Sequence, residues 1–160
     1  MKNIYLLIFV LFSFQSVGEE YYFDKYEFKW VVTEQSGVSL AVIKTDEITY
    51  LRLTTKGSAY KQIRLTENEA KELSSALKKT REYFNIQKGS KKDVSEKLMA
   101  ADYEVNFRSS PKYGFSVYIR KKSGLLYESL VLEKAEAIDL QPYLEQAAEL
   151  INFVDKKISI

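Results

Sequence analysis

The chain has 160 residues, with 24 lysines and arginines against 22 aspartates and glutamates, and it contains no cysteine and no histidine. These two absences exclude cysteine nucleophiles, histidine general bases and zinc sites with nitrogen or sulfur ligands. The near-neutral charge argues against a protein that binds polyanions over its whole surface. We therefore expect a protein that is not an enzyme and that uses no cofactor and no metal.

Residues 1–18 have the pattern of a secretory signal peptide. A lysine precedes an apolar run from Ile4 to Phe14 that is too short for an ordinary membrane span, and small residues precede a cleavage point between Gly18 and Glu19. After cleavage the protein would be secreted or periplasmic, with no integral membrane span and a core that is stable without disulfides. A retained membrane anchor is the alternative interpretation.

The stretch after the signal predicts four strands joined by short polar turns. In "YEFKWVV", residues 26–32, the alternation places Phe28 and Trp30 on one side, which is typical of a half-buried strand. Three further runs, "GVSLAVIK", "ITYLRLTT" and "AYKQIRL", complete an antiparallel meander. In "ITYLRLTT" the neighbouring residues Tyr50 and Leu51 would point to opposite faces, and both are suited to the core. We therefore expect either a bulge or burial on both faces.

The period changes from two to that of a helix at Thr66. Thr66 and Glu69 have the spacing of a capping box, which marks a helix start. The apolar stripe that follows has the alternating spacing of three and four of a helix: Ala70, Leu73, Leu77, Thr80 and Phe84. We expect one helix that continues to about Asn85 and lies on one face of the sheet. The stretch 85–96, rich in glycine, serine and lysine, is the predicted boundary between two units.

The second half of the chain repeats the first at an offset of 67 residues. The stretch "GSAYKQIRLTENEAKEL", residues 57–73, matches "GLLYESLVLEKAEAIDL", residues 124–140, and no gap is needed from Glu34 to Phe84. Either one module is used twice, or two unrelated strand-to-helix segments share the same apolar spacing. We interpret the match as a repeat, with units at 19–88 and 89–160.

The second unit differs from the first in two places. "EKLMAA", residues 96–101, stands where the first strand belongs, although its composition also suits a helical turn. Pro142 stands inside the second helix and cannot donate its amide. That helix either begins near Asp139 or consists of a short segment followed by a kink. The predicted fold class is α+β: two tandem meander-plus-helix repeats that pack as one compact unit.

The most informative predicted surface is the outward face of the second sheet. In "YGFSVYIRKK", residues 113–122, alternate apolar residues face the helix and leave tyrosine and basic side chains outward. The neighbouring strands add an arginine and a tyrosine. The predicted partner-binding set is therefore basic and aromatic: Arg108, Tyr118, Arg120, Lys122 and Tyr127. A solvated sheet face with no function is the alternative.

The order of elements resembles a known plan. The segments "ITYLRLTTKGSAYKQIRLTENEAKELSSAL" and "GFSVYIRKKSGLLYESLVLEKAEAIDLQPYL" resemble the duplicated ββββα arrangement of the Whirly and PUR-repeat families over most of the mature chain. That resemblance implies binding to single-stranded nucleic acid. The residues themselves favour an exported binding module that engages a protein or an envelope component. Nucleic-acid binding is the second hypothesis, and a carboxylate-dependent hydrolase is the third.

Overall fold

The computed structural model describes residues 26–35, 37–55, 62–123 and 126–158. The predicted signal peptide and its cleavage point lie outside these residues. The described elements are eight strands and four helices: β1 Glu27–Gln35, β2 Val38–Thr45, β3 Thr49–Thr55, β4 Gln62–Leu65, α1 Glu67–Leu77, α2 Thr80–Gln87, β5 Val94–Ala100, β6 Tyr103–Ser110, β7 Gly114–Ser123, β8 Leu126–Glu133, α3 Lys134–Glu145 and α4 Ala147–Lys157.

The strands form two separate antiparallel sheets in sequence order. Sheet A has the order β1-β2-β3-β4, and sheet B has the order β5-β6-β7-β8. The α+β fold with two tandem meander-plus-helix units is therefore confirmed. "EKLMAA" forms a strand up to Ala100, as its position in the repeat predicts, because these residues pair in register with β6, and Ala101 begins the turn that follows.

The first predicted helix is in fact two helices. Thr66 caps α1 as expected: its hydroxyl accepts the Glu69 amide, and the Glu69 carboxylate accepts the Thr66 amide at 2.8 Å. However, α1 ends at Leu77, where the Lys79 amide bonds to the carbonyl of Ala76 and tightens the last turn. The expectation of one helix to about Asn85 is wrong, because α2 starts afresh at Thr80.

The second unit breaks its helix at the same place. α3 runs from Lys134 to Glu145 and includes Pro142, and α4 begins at Ala147, which is 67 residues after Thr80. The start near Asp139 is wrong, and a helical segment followed by a break is what the structure has. Because the first unit breaks without a proline, Pro142 is not required for the break.

Helices α1 and α3 contact each other through equivalent residues of the two repeats. The side-chain amide of Gln141 donates to the hydroxyl of Ser74 at 2.9 Å, and the Lys78 ammonium pairs with the Glu145 carboxylate at 2.6 Å. Both pairs are 67 residues apart. When each copy presents the same positions to the other, the two are related by a local two-fold axis, which passes between these helices.

The second helix of each unit packs on the sheet of the other unit. α2 places Tyr83 against Phe107 of sheet B, with ring centroids 4.7 Å apart. In return α4 places Phe153 against Trp30 of sheet A, with centroids 5.2 Å apart, and Asp155 pairs with Lys44 at 3.0 Å. The inner faces of both sheets therefore contribute to one continuous hydrophobic core.

The repeat offset is not constant along the strands. The core-facing row next to each helix start contains three paired residues: Val42, Leu51 and Leu65 in sheet A, and Phe107, Val117 and Leu132 in sheet B. The equivalent residues are 65, 66 and 67 positions apart in turn. The gap-free alignment is thus wrong over β2 and β3 and correct from β4 into α1, because the connections between strands differ in length.

The uncertain third strand is buried on both faces. Leu51 and Leu53 face the inner core, while Tyr50 joins Ala41 and Ile43 in a small buried cluster on the opposite face. Of the two alternatives, a bulge or burial on both faces, the structure has burial on both faces.

A half-buried network joins the first helix to the second sheet. Glu69 pairs with Lys121 of β7 at 2.6 Å, and the Lys121 ammonium lies 5.0 Å from the ring of Tyr103. The Tyr103 hydroxyl donates to the Arg64 carbonyl at 2.7 Å. Burial raises the pKa of the Glu69 carboxyl, but hydrogen bonds from Lys121 and Thr66 outweigh it, so the net pKa is lowered.

We expect Glu69→Gln to destabilise the protein at neutral pH by about 1–3 kcal/mol, because it leaves Lys121 half-buried without its counterion. Since the folded pKa is below the unfolded value of about 4.5, this contribution is present above pH 4.5 and is lost as the pH falls through the folded pKa. The difference in the free energy of unfolding between Glu69→Gln and wild type, measured by urea unfolding, should therefore become smaller in acid.

Glu136 supplies a matched control for this prediction. It stands 67 residues after Glu69, and its carboxylate accepts the Glu133 amide at 2.7 Å. Glu136→Gln should cost less than about 1 kcal/mol because only a cap is weakened. Equal losses in the two variants would contradict the assigned role of Lys121.

Candidate binding face

The outer face of sheet B, defined as the face turned away from the helices, is open within the described part of the chain. The helices occupy the inner face, where Phe84 meets Phe115 at a ring-centroid distance of 5.5 Å. Strand alternation directs Arg108, Tyr118 and Arg120 to the other side, and all three are exposed. The structure therefore brings three of the five predicted residues onto one face.

These side chains surround a shallow groove of about 450 Å³, here called the sheet B groove. Its outward-facing lining comes from three adjacent strands: Glu104, Asn106 and Arg108 from β6, Tyr118 and Arg120 from β7, and Ser129 and Val131 from β8. A volume of this size lies within the range of ordinary ligand sites. The groove can hold a small ligand or a few side chains of a larger partner.

The centre of the groove is apolar. Tyr118 pairs in register with Val131, and each is 37% exposed. Asn106 lies on the other side of Tyr118 in the same row. An apolar side chain placed over Tyr118 and Val131 would lose contact with water on the side that meets them.

The charged rim of the groove contains ion pairs that the sequence did not predict. Arg108 pairs with Asp93 at 2.6 Å, and this contact raises the pKa of the guanidinium and lowers that of the carboxyl. Lys97 pairs with Glu104 at 3.1 Å, and Glu104 lies opposite Arg120 in register. The sequence pattern could not reveal these partners because they come from the turn before β5 and from a neighbouring strand.

The other two predicted residues are placed only by their backbones. Lys122 and Tyr127 lie opposite each other where β7 pairs with β8. Their side chains lie outside the described part of the protein. Their membership of the groove stays a prediction.

Sequence reasoning did not assign four of the groove residues to the binding set: Glu104, Asn106, Ser129 and Val131. Val131 was overlooked because it stands between two core leucines, although the same alternation places it outward. Asn106 was recognised as outward but not as a contact residue. Its Oδ1 atom is buried and has no hydrogen-bond partner, a condition that costs about 1–3 kcal/mol.

The centre of the corresponding face of sheet A is buried, while Lys29 and Val31 on its edge strand β1 are exposed. Ala41, Ile43 and Tyr50 are buried there, and the Arg64 guanidinium lies 5.4 Å from the Tyr50 ring centroid. In the structural register of the repeat, Asn106 occupies the position of Ala41 and Arg108 that of Ile43. The position of a buried apolar patch in one copy is thus occupied in the other by an open groove with an apolar centre and charged side chains at its rim.

The remaining described features offer little chemistry. Two clefts adjoin Asp139 and Tyr143. One has a volume of about 20 Å³, which is enough for roughly one water, and the other is an open depression of about 440 Å³ between β1 and α3. Among the described residues no group of three or more acidic side chains is placed to hold a metal ion. None of the four helices has the length and apolar character needed to cross a bilayer.

No protein-family model matches this chain, and no curated protein matches it. The geometry of the two outer faces therefore carries the functional argument.

We expect Tyr118→Ala to change the free energy of unfolding by less than about 1 kcal/mol, because its side chain faces the open groove. The adjacent substitution Ile119→Ala should cost about 2–5 kcal/mol, because Ile119 is fully buried on the inner face. Urea unfolding of the two variants compares the faces directly. Similar losses would contradict the assignment of Tyr118 to an open face.

Proposed function

We propose that the protein is an exported, non-enzymatic binding module that engages a protein or an envelope component through the sheet B groove. The observation that carries the proposal is the difference between the two outer faces. In sheet A the centre of this face is a buried apolar cluster, and Val31 is exposed on its edge strand β1. In sheet B the same face has a groove in which a half-exposed tyrosine lies next to two arginines. Tyrosine and arginine are enriched at protein interfaces and their hot spots.

Export is the second part of the proposal. It rests on the apolar run and small residues of 1–18, which are typical of a cleaved secretory signal. A secreted or periplasmic protein without cysteine must be stable through its core alone. The single core that joins the two sheets supports this part, because it buries more apolar surface than either unit could bury separately.

The proposal is tested by a photo-crosslinking amino acid introduced at Tyr118 of the full chain in the cells that make it. Adducts with one discrete partner are expected at Tyr118. The same label at Lys29, which is exposed on the outer face of sheet A, is the control and should give none.

Arg120→Gln in the Tyr118-labelled protein should reduce the adduct by about tenfold if the arginine contributes a typical charged contact. Absence of any adduct at Tyr118, or equal adducts at Lys29, would contradict the proposed face.

A further inference from the structure

We infer that the sheet B groove binds an extended, uncharged segment of polypeptide, which donates an N–H to Asn106 Oδ1 and places an apolar or aromatic side chain over Tyr118 and Val131. This inference rests on the proposed function and specifies the chemistry of the partner. Three observations carry it: the ion pairs at the rim, the apolar centre and the unpartnered amide oxygen.

The rim disfavours a polyanion. Arg108 is held by Asp93 and Lys97 by Glu104, so a phosphate backbone would have to replace existing carboxylate partners. The phosphates would also approach the carboxylates of Asp93 and Glu104, which carry the same negative charge. A polypeptide segment without net charge meets neither cost, and its binding should depend little on salt.

The apolar centre favours a side chain as the anchor. Tyr118 and Val131 lie side by side in register with similar exposure, which leaves an apolar strip across β7 and β8. Binding energy at protein interfaces is concentrated where one large side chain fills such a strip and is surrounded by polar contacts. The charged side chains of the rim supply those surrounding contacts.

Asn106 supplies the specificity. Its Oδ1 accepts no hydrogen bond and is buried in the row that also contains Tyr118. Small rotations of interface side chains are common on binding, and a rotation that admits a peptide N–H removes the penalty of the unpaired oxygen. The first repeat has Ala41 at this position, so the strand does not need an amide here for folding.

The substitution Asn106→Ala separates binding from stability. If the amide serves a partner, its removal should leave the urea midpoint unchanged or raised, as is common for binding residues. Peptide affinity should fall by about tenfold, the value of one hydrogen bond to a buried group. A purely structural asparagine would instead give a lowered midpoint.

The probe is a displayed library of random peptides, panned on the full chain and counter-selected on Tyr118→Glu. Selected peptides should share an apolar or aromatic residue and have no net charge. By calorimetry their affinities should change by less than about threefold between low and physiological salt. An oligothymidine tested in parallel should not bind.

The inference is overturned if no peptide is enriched, if the enriched peptides are acidic, if only the oligothymidine binds, or if Asn106→Ala binds the peptides as well as wild type. These failures are distinct from failure of the proposed function. A Tyr118 adduct with a polysaccharide or a nucleic acid would support the proposed binding face and contradict the inferred polypeptide partner. Absence of any adduct would remove the face itself.

Discussion

The contact between α1 and α3 is the constraint on which the rest of the structure depends. Ser74 meets Gln141 and Lys78 meets Glu145, so the two repeats touch at equivalent positions around a local two-fold axis. Once the first helices are fixed back to back, each chain segment must turn at the end of its helix to continue. The break after Leu77 and its counterpart after Glu145 provide that turn and send each second helix across to the other sheet.

Because each second helix packs on the sheet of the other unit, the inner faces of the sheets are covered, and this decides which surfaces are available for function. Both sheets use their inner faces in the shared core, so only the outer faces can diverge. In sheet A the outer face is closed over Ile43 and Tyr50, and Arg52 pairs with Glu27 beside them. In sheet B the outer face has an open groove with an apolar centre and a charged rim. A duplicated unit can in this way keep one copy for stability and adapt the other for recognition.

The sequence predicts the elements better than it predicts their arrangement. Alternation identified the strands, and the Thr66 capping box identified the start of α1, because both depend on local physical chemistry. The helix break could not be foreseen, since the stripe through Leu77 and Thr80 is continuous and the turn serves a contact in the other repeat. The same limit applies to the site. Tyr118 was located by parity, but the partners of Arg108 and Glu104 depend on how distant residues pack.

The central claim is that the two repeats share one core and unfold together, and native-state hydrogen exchange tests it most directly. The amides of Leu51 in sheet A and Val117 in sheet B should exchange with the same free energy of opening. Phe107→Leu, which weakens the contact of α2 with sheet B, should lower both values equally. A variant in which Val117 exchanges faster while Leu51 is unchanged would show two independent units and contradict the account.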